Sequence, residues 1–231
     1  MDADDISKPT RIEKQMRLIN ADNKDIIGAV GTWGEHINYK GDVIGKIKTG
    51  PICIEEHDKL YSQNEAILLI DPSSIINRKT FWECKGYRED YFPPCDLDFW
   101  YRFSEKEKKI IAIPEFLFQY RIHSNSFSVQ KASFQRTMTH FVNFNMRLRR
   151  ADKSEIVYEE FKKNIWSKFS YRCPRIINDK ALIFYKKAGF NYGNGKYLKF
   201  IFYLLLVLCI NPKVIYKKLL FQNFAPIKVK I

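Results

Sequence analysis

A chain of 231 residues with 45% hydrophobic and 15% aromatic content can bury a core, which excludes a disordered or low-complexity protein. Its net charge of +13 is unevenly placed: residues 1–146 carry 20 Lys/Arg against 21 Asp/Glu, and residues 147–231 carry 19 against 5. A basic excess confined to a segment with an apolar run and no recognition motif reads against nucleic acid and for another anionic partner. Five scattered cysteines (Cys53, Cys84, Cys95, Cys173, Cys209) form no CxxC pair, which reads against a disulfide framework or zinc site and for a reducing compartment. With no secretory signal pattern, a cytoplasmic-facing protein is expected.

Taken in chain order, Asp2 to Asp5 form an acidic tip, and Ser7 and Pro9 open a helix in which Thr10-x-x-Glu13 has the form of a capping box. Ile12, Met16 and Ile19 recur at helical spacing and are expected to face the core. Residues 26–33 predict a buried strand, Lys40-Gly41-Asp42 a hairpin or irregular turn, and residues 66–70 a buried strand or packed segment. A helix over 78–85 should end at Gly86, and residues 95–105 form the next. Two strands, 109–113 and 116–122, bracket Pro114.

From 131 onward the pattern is helical: 131–150, roughly 153–172, and 178–188 closing at Gly189, with a loop at Gly193 and Gly195. The apolar run 200–210, bounded by Lys199 and Asn211-Pro212, falls short of the ~20 residues a membrane-spanning helix needs. Beyond it, Val214, Ile215, Leu219 and Leu220 alternate with Lys213, Lys217 and Lys218. That segment reads equally as a helix packed on the domain with solvated lysines, or as a peripheral contact with an anionic membrane surface. The division expected is 1–130, α/β, and 131–231, helical and basic.

Three constellations could carry chemistry. Asp2-Ala3-Asp4-Asp5 places three carboxylates within four residues, stable if solvated or bridged by a hard divalent cation. Asp96, in Cys95-Asp96-Leu97-Asp98, lies at a helix start, where it can be a plain cap or a base projecting into a cleft. Arg121 and His123, in YRIHSNSFS, end a strand in a polar loop suited to a pyrophosphate or metal–phosphate group; singly, each also reads as an ordinary structural residue.

In order and spacing, the segments MDADDISKPTRIEKQMRLI, IIGAVGTW, DPSSIINRKTFWECKGYRED, PPCDLDFWYRF and FLFQYRIHSNSFS resemble the family 2 glycosyltransferases, from the DxD region through the closing YRxH segment. The resemblance covers residues 1 to about 130, and more loosely the apolar-Asn-Pro-basic tail. It implies a partial GT-A fold of α/β class, lacking the family's first strands and nucleotide-base pocket, followed by a mainly helical region. It also implies inverting transfer of a sugar from a nucleotide-diphospho-sugar donor to a hydroxyl of a glycan or lipid-linked acceptor, as in polysaccharide or lipopolysaccharide synthesis at the inner leaflet of the plasma membrane.

By position, the resemblance assigns Asp96 as general base and Asp4, Asp5 and His123 as holding Mg2+ or Mn2+. Asp2 and Arg121 would serve the donor diphosphate. Cys95 stands where the family usually has Glu, so a neighbour able to orient the base is missing. The competing expectation is a non-catalytic membrane-surface or interaction module derived from a truncated glycosyltransferase.

Overall fold

The computed structural model describes residues 1, 3–122, 131–193 and 195–216, without the side chain at position 132. Two compact units divide the chain, residues 1–156 and 157–231. The first therefore runs beyond residue 130, because the helix that follows is tied into the sheet-bearing unit by the charged residues described below.

In the first unit the elements are β1 (Ile6–Ser7), α1 (Arg11–Asn20), β2 (Ile27–Ile37), β3 (Val43–Ile47), α2 (Ile54–Ser62), β4 (Ile75–Ile76), α3 (Arg78–Glu83), α4 (Cys95–Ser104), β5 (Lys109–Arg121) and α5 (Ala132–Arg150). The mixed five-stranded sheet has the order β1-β5-β2-β3, with β4 also on β2. At its centre β2 and β5 run parallel; the other three pairings are antiparallel. The long apolar run of β2 is explained by this place, since a strand covered on both faces needs no polar alternation.

The core joins Ala29 and Trp33 of β2, Ile110 and Ala112 of β5, and Phe99, Trp100 and Phe103 of α4, with Ile67 and Leu69 from the connecting chain. Residues 66–70 are thus a packed segment and not a strand. Leu69 approaches the sheet so closely that a Cβ on Gly31 would lie 2.8 Å from its side chain. The β2–β3 hairpin turns at Gly41, whose φ of +91° disfavours residues with a Cβ.

Two expectations for this unit are corrected. The strands on either side of Pro114 are one element, β5, with a register irregularity where Thr32 pairs with Ile113 and Trp33 with Phe116. A proline cannot donate to the ladder, so the strand bulges past it and continues. The second concerns α1. Ile12 and Met16 are 48% and 38% exposed, whereas Arg11 and Gln15 are buried. Gln15 Nε2 donates to the carbonyls of Val30 at 2.6 Å and Ser73 at 2.9 Å, and Arg11 Nη1 to that of Ser73 at 2.7 Å. Buried backbone oxygens require donors, which an apolar face cannot give. The capping box does not form either: Thr10 precedes α1 without a side-chain capping bond.

In the second unit α6 (Tyr158–Phe161) opens into a wide π turn over Lys162–Trp166, followed by α7 (Phe169–Gly193) and α8 (Tyr197–Ile210). The expected break near 172–178 is absent. Pro174 lies in the second turn of α7, where it removes one intrahelical bond without stopping the helix, and α7 also runs through Gly189. Ala181, Val207 and Val214 make a small core with Leu182, Phe184, Tyr185, Ile210 and Ile215 around them. Among the described residues no helix is long and apolar enough to cross a membrane. Lys217, Lys218, Leu219 and Leu220 lie outside the described residues.

Candidate functional site

Helix α4 separates its two aspartates by roughly half a turn, and that placement decides their chemistry. Asp98 faces inward and is fully buried. Arg88 Nε and Arg102 Nε each donate to its Oδ2 at 2.9 Å. Arg88 also reaches Glu155 (2.7 Å), and Arg149 bonds Glu105 (2.8 Å) as well as Glu155. Burial would raise the Glu155 carboxyl, but the hydrogen bonds from Arg88 and Arg149 outweigh it and hold it at about 2. Arg102 further donates to the carbonyls of Cys84 and Gly86, the latter at 2.7 Å, which fixes the turn between α3 and α4. A carboxylate sealed from solvent and held by two guanidinium groups anchors the helix and is out of a substrate's reach.

Asp96 faces outward from the first turn of α4, where its Oδ1 accepts from the Leu97 amide at 2.8 Å. Its side chain is open to solvent, yet desolvation by the surrounding atoms raises its pKa against the lowering effect of the helix amides. Close enough to feel its charge is Asp71, which no sequence motif marks. Asp71 begins a single 3₁₀ turn over Asp71–Ser73. The Tyr87 hydroxyl donates to both its carboxyl oxygens, at 2.9 and 3.1 Å.

Burial raises the Asp71 carboxyl, and the nearby Asp96 charge raises it further, against opposing contributions from Tyr87, the chain's amino group and Trp100. Tyr87 itself is pushed well above the usual phenol range by burial and by Asp71. Its ring is held by Phe99 and Phe81, with centroids 4.9 and 5.7 Å away. Two carboxylates with raised pKa values, Asp71 in part through the charge of Asp96, thus stand near one phenol held by ring packing.

The polar face of α1 now has an explanation. Ser73 Oγ donates to the Ile70 carbonyl at 2.8 Å, and its carbonyl is gripped by Arg11 and Gln15. These bonds fix the turn that carries Asp71. In the sequence the only available signal was a buried-type pattern of polar residues, Arg11 and Gln15, spaced one turn apart.

The acidic tip adjoins the end of β5. Asp5 is buried, and its Oδ1 accepts from the Arg121 amide at 3.1 Å. Asp4 is exposed, and its carbonyl accepts from Arg121 Nε at 3.0 Å. Arg121 Nη1 donates to the Asn38 carbonyl at 2.8 Å. The structure therefore brings Asp4, Asp5 and Arg121 together, and the guanidinium acts here as a clasp on two backbone carbonyls. Asp2 and His123 lie outside the described residues. Among the described residues no group of three His, Cys, Asp or Glu side chains is arranged to hold an ion. The charge of the chain's amino group is felt at Asp71, whose carboxyl it lowers.

A shallow groove within the second unit, lined by Phe169, Cys173, Pro174, Ile177, Ile210 and Lys213, contains no carboxylate and has no part in this chemistry.

No family model matches the chain. The chain is similar to the uncharacterized glycosyltransferase MJ1057 of Methanocaldococcus jannaschii, with 28% identity over 141 residues. The match covers 61% of this chain and 47% of that protein, so the chain spans about half the length of the curated relative it matches. The likeness supports a glycosyltransferase kinship, and the mixed α/β sheet is consistent with it.

Proposed function

We propose that this chain is the catalytic part of an inverting family 2 glycosyltransferase of GT-A type, moving a sugar from a nucleotide-diphospho-sugar to a hydroxyl of a glycan or lipid-linked acceptor. The observation that carries the reading is Asp96, open to solvent in the first turn of α4 with its pKa raised by desolvation, and Asp71 close enough to feel its charge. The likeness to a glycosyltransferase supports the transferase part of this reading, and the family and the inverting mechanism rest on the resemblance in the sequence.

In this reading Asp96 is the general base. A carboxylate whose pKa lies above its ordinary value takes a proton from an attacking hydroxyl more readily than a solvated one. Desolvation sustains that basicity, and Tyr87 holds the neighbouring Asp71 in place. The Arg88–Asp98–Arg102 contacts anchor α4 so that Asp96 stays at the rim.

The donor side rests on the acidic tip. Carboxylate oxygens are the donors that Mg2+ and Mn2+ prefer, and these ions take one or two such groups together with substrate phosphates. Asp4, with its exposed side chain, fits that role; Asp2 and His123 are added by the resemblance in the sequence alone. Asp5 fits it less well, since it already bonds the Arg121 amide and helps hold the tip against β5. The ion, when bound, supplies neutralisation of the charge that develops on the departing nucleotide diphosphate.

The test is release of nucleoside diphosphate from a panel of nucleotide-diphospho-sugars with Mn2+ and glycan or lipid-linked acceptors. Acceptor-dependent release that falls in Asp96→Asn supports the reading. Release that is undiminished in that variant, or absent with every donor, overturns it.

A further inference from the structure

Helix α8 carries an apolar face that the second unit leaves uncovered. On its inner side Val207 is fully buried with Ala181 of α7. At 100° per residue, Leu198, Ile201, Phe202, Leu205 and Leu208 fall on one arc of about 120° on the opposite side. All five are open to solvent, Leu198 at 86%, Phe202 at 58% and Leu205 at 55%. An apolar stripe running the length of a helix is not the scattered exposure common on monomeric proteins.

From this face and the charge around it, we infer that α8 lies flat in the surface of an anionic lipid bilayer, its outer arc inserted among the acyl chains. Charge complementarity selects that occupant. Lys196 and Lys199 are exposed at one end of the stripe, Lys213 is exposed just beyond the other, and the only charged residue within α8 itself is Lys199. Lysines placed there can extend along the helix to headgroup phosphates while the stripe is buried. Residues 147–231 as a whole carry 19 Lys/Arg against 5 Asp/Glu, an excess that attracts acidic lipid and repels a second copy of the same surface. With 14 residues, α8 is about 21 Å long at ~1.5 Å per residue, against a hydrocarbon core of about 30 Å, so it lies in the plane of the surface.

The contact assigned here differs from the one the sequence suggested. The sequence pointed to the basic segment after Pro212; the structure moves the apolar contact into the preceding helix, with the lysines as its flanks. This inference is independent of the transfer reaction.

Flotation of the full chain with vesicles tests it. Binding to phosphatidylcholine vesicles containing phosphatidylglycerol, weakened by salt and weak on phosphatidylcholine alone, is the expected result. The double substitution F202E/L205E should lower the bound fraction about ten-fold, with an unchanged far-ultraviolet circular dichroism spectrum. Leu198→Glu, at the most exposed position, should act in the same direction if the double variant misfolds. Three results would overturn the inference: no binding of the wild type to anionic vesicles, equal binding by the folded variants, or self-association of the wild type that the same substitutions abolish without any vesicle binding.

Discussion

The two units handle the same problem in opposite ways. The first, nearly neutral overall, buries charges: Asp98 is sealed between Arg88 and Arg102, and Arg11 and Gln15 face inward from α1. The second, strongly basic, leaves apolar side chains outside along α8. Buried polar groups fix positions, because each has few partners and specific geometry. An exposed apolar stripe fixes no position within the unit, and its natural use is to meet something outside it. The contrast separates a part built to aim side chains from a part built to attach.

The comparison can be broken most forcefully at Asp98. Asp98→Ala leaves two guanidinium groups facing a cavity and should cost about 3–5 kcal/mol in denaturant unfolding. A loss under 1 kcal/mol would mean that the charges contribute little. A smaller effect is expected at α1, where Gln15→Leu strips donors from the Val30 and Ser73 carbonyls and should cost about 1–3 kcal/mol. If α1 tolerates that change, its polar face does not hold the Asp71 turn. Smaller still, Leu205→Glu on the outer face of α8 should shift stability within about 0.5 kcal/mol, because nothing in the unit covers that side chain.

Titration sharpens the same contrast within the first unit. Asp71 and Asp96 have raised pKa values, so the folded state binds their protons more tightly than the unfolded state does. Their contribution to stability is complete below the ordinary carboxylate range and is lost as pH rises through the raised values. Asp96→Asn should therefore raise the thermal midpoint slightly at neutral pH. Glu155 has the opposite sign: held at about 2, it stabilises the fold above the ordinary Glu range, and that contribution is lost as pH falls toward 2. Glu155→Gln should accordingly flatten the acid limb of the stability profile. A neutral-pH midpoint lowered by Asp96→Asn would contradict the raised Asp96 pKa.

Much of the fold was legible in the sequence where local pattern and tertiary role agree. The apolar run of β2, the Lys40-Gly41-Asp42 turn, the aromatic helix α4 and the long α5 all follow from residues close in the chain. What was not legible depends on distant partners. Arg11 and Gln15 are buried because of the Ser73 carbonyl about sixty residues away, and no helical periodicity reveals that oxygen. The pattern predicts two strands around Pro114 and a gap between helices near 172–178, yet the sheet neighbour β2 and the continuous helix α7 carry the chain through both. Of the site, Asp4, Asp5 and Arg121 were picked from the sequence and meet in space. Asp71 and Tyr87 were missed, because an aspartate before a proline reads as a turn residue until Asp96 is placed beside it.

The central claim is that two aspartates one half-turn apart on α4 divide the labour, Asp98 holding the helix and Asp96 acting on the acceptor. Its most direct test is acceptor-dependent release of nucleoside diphosphate by wild type and Asp96→Asn under identical conditions. The account predicts a loss of about 10²–10⁴ in kcat with the fold intact, and wild-type kcat/KM that declines as acidification protonates a carboxyl above the ordinary Asp range. A folded Asp96→Asn protein that transfers sugar at the wild-type rate would contradict it.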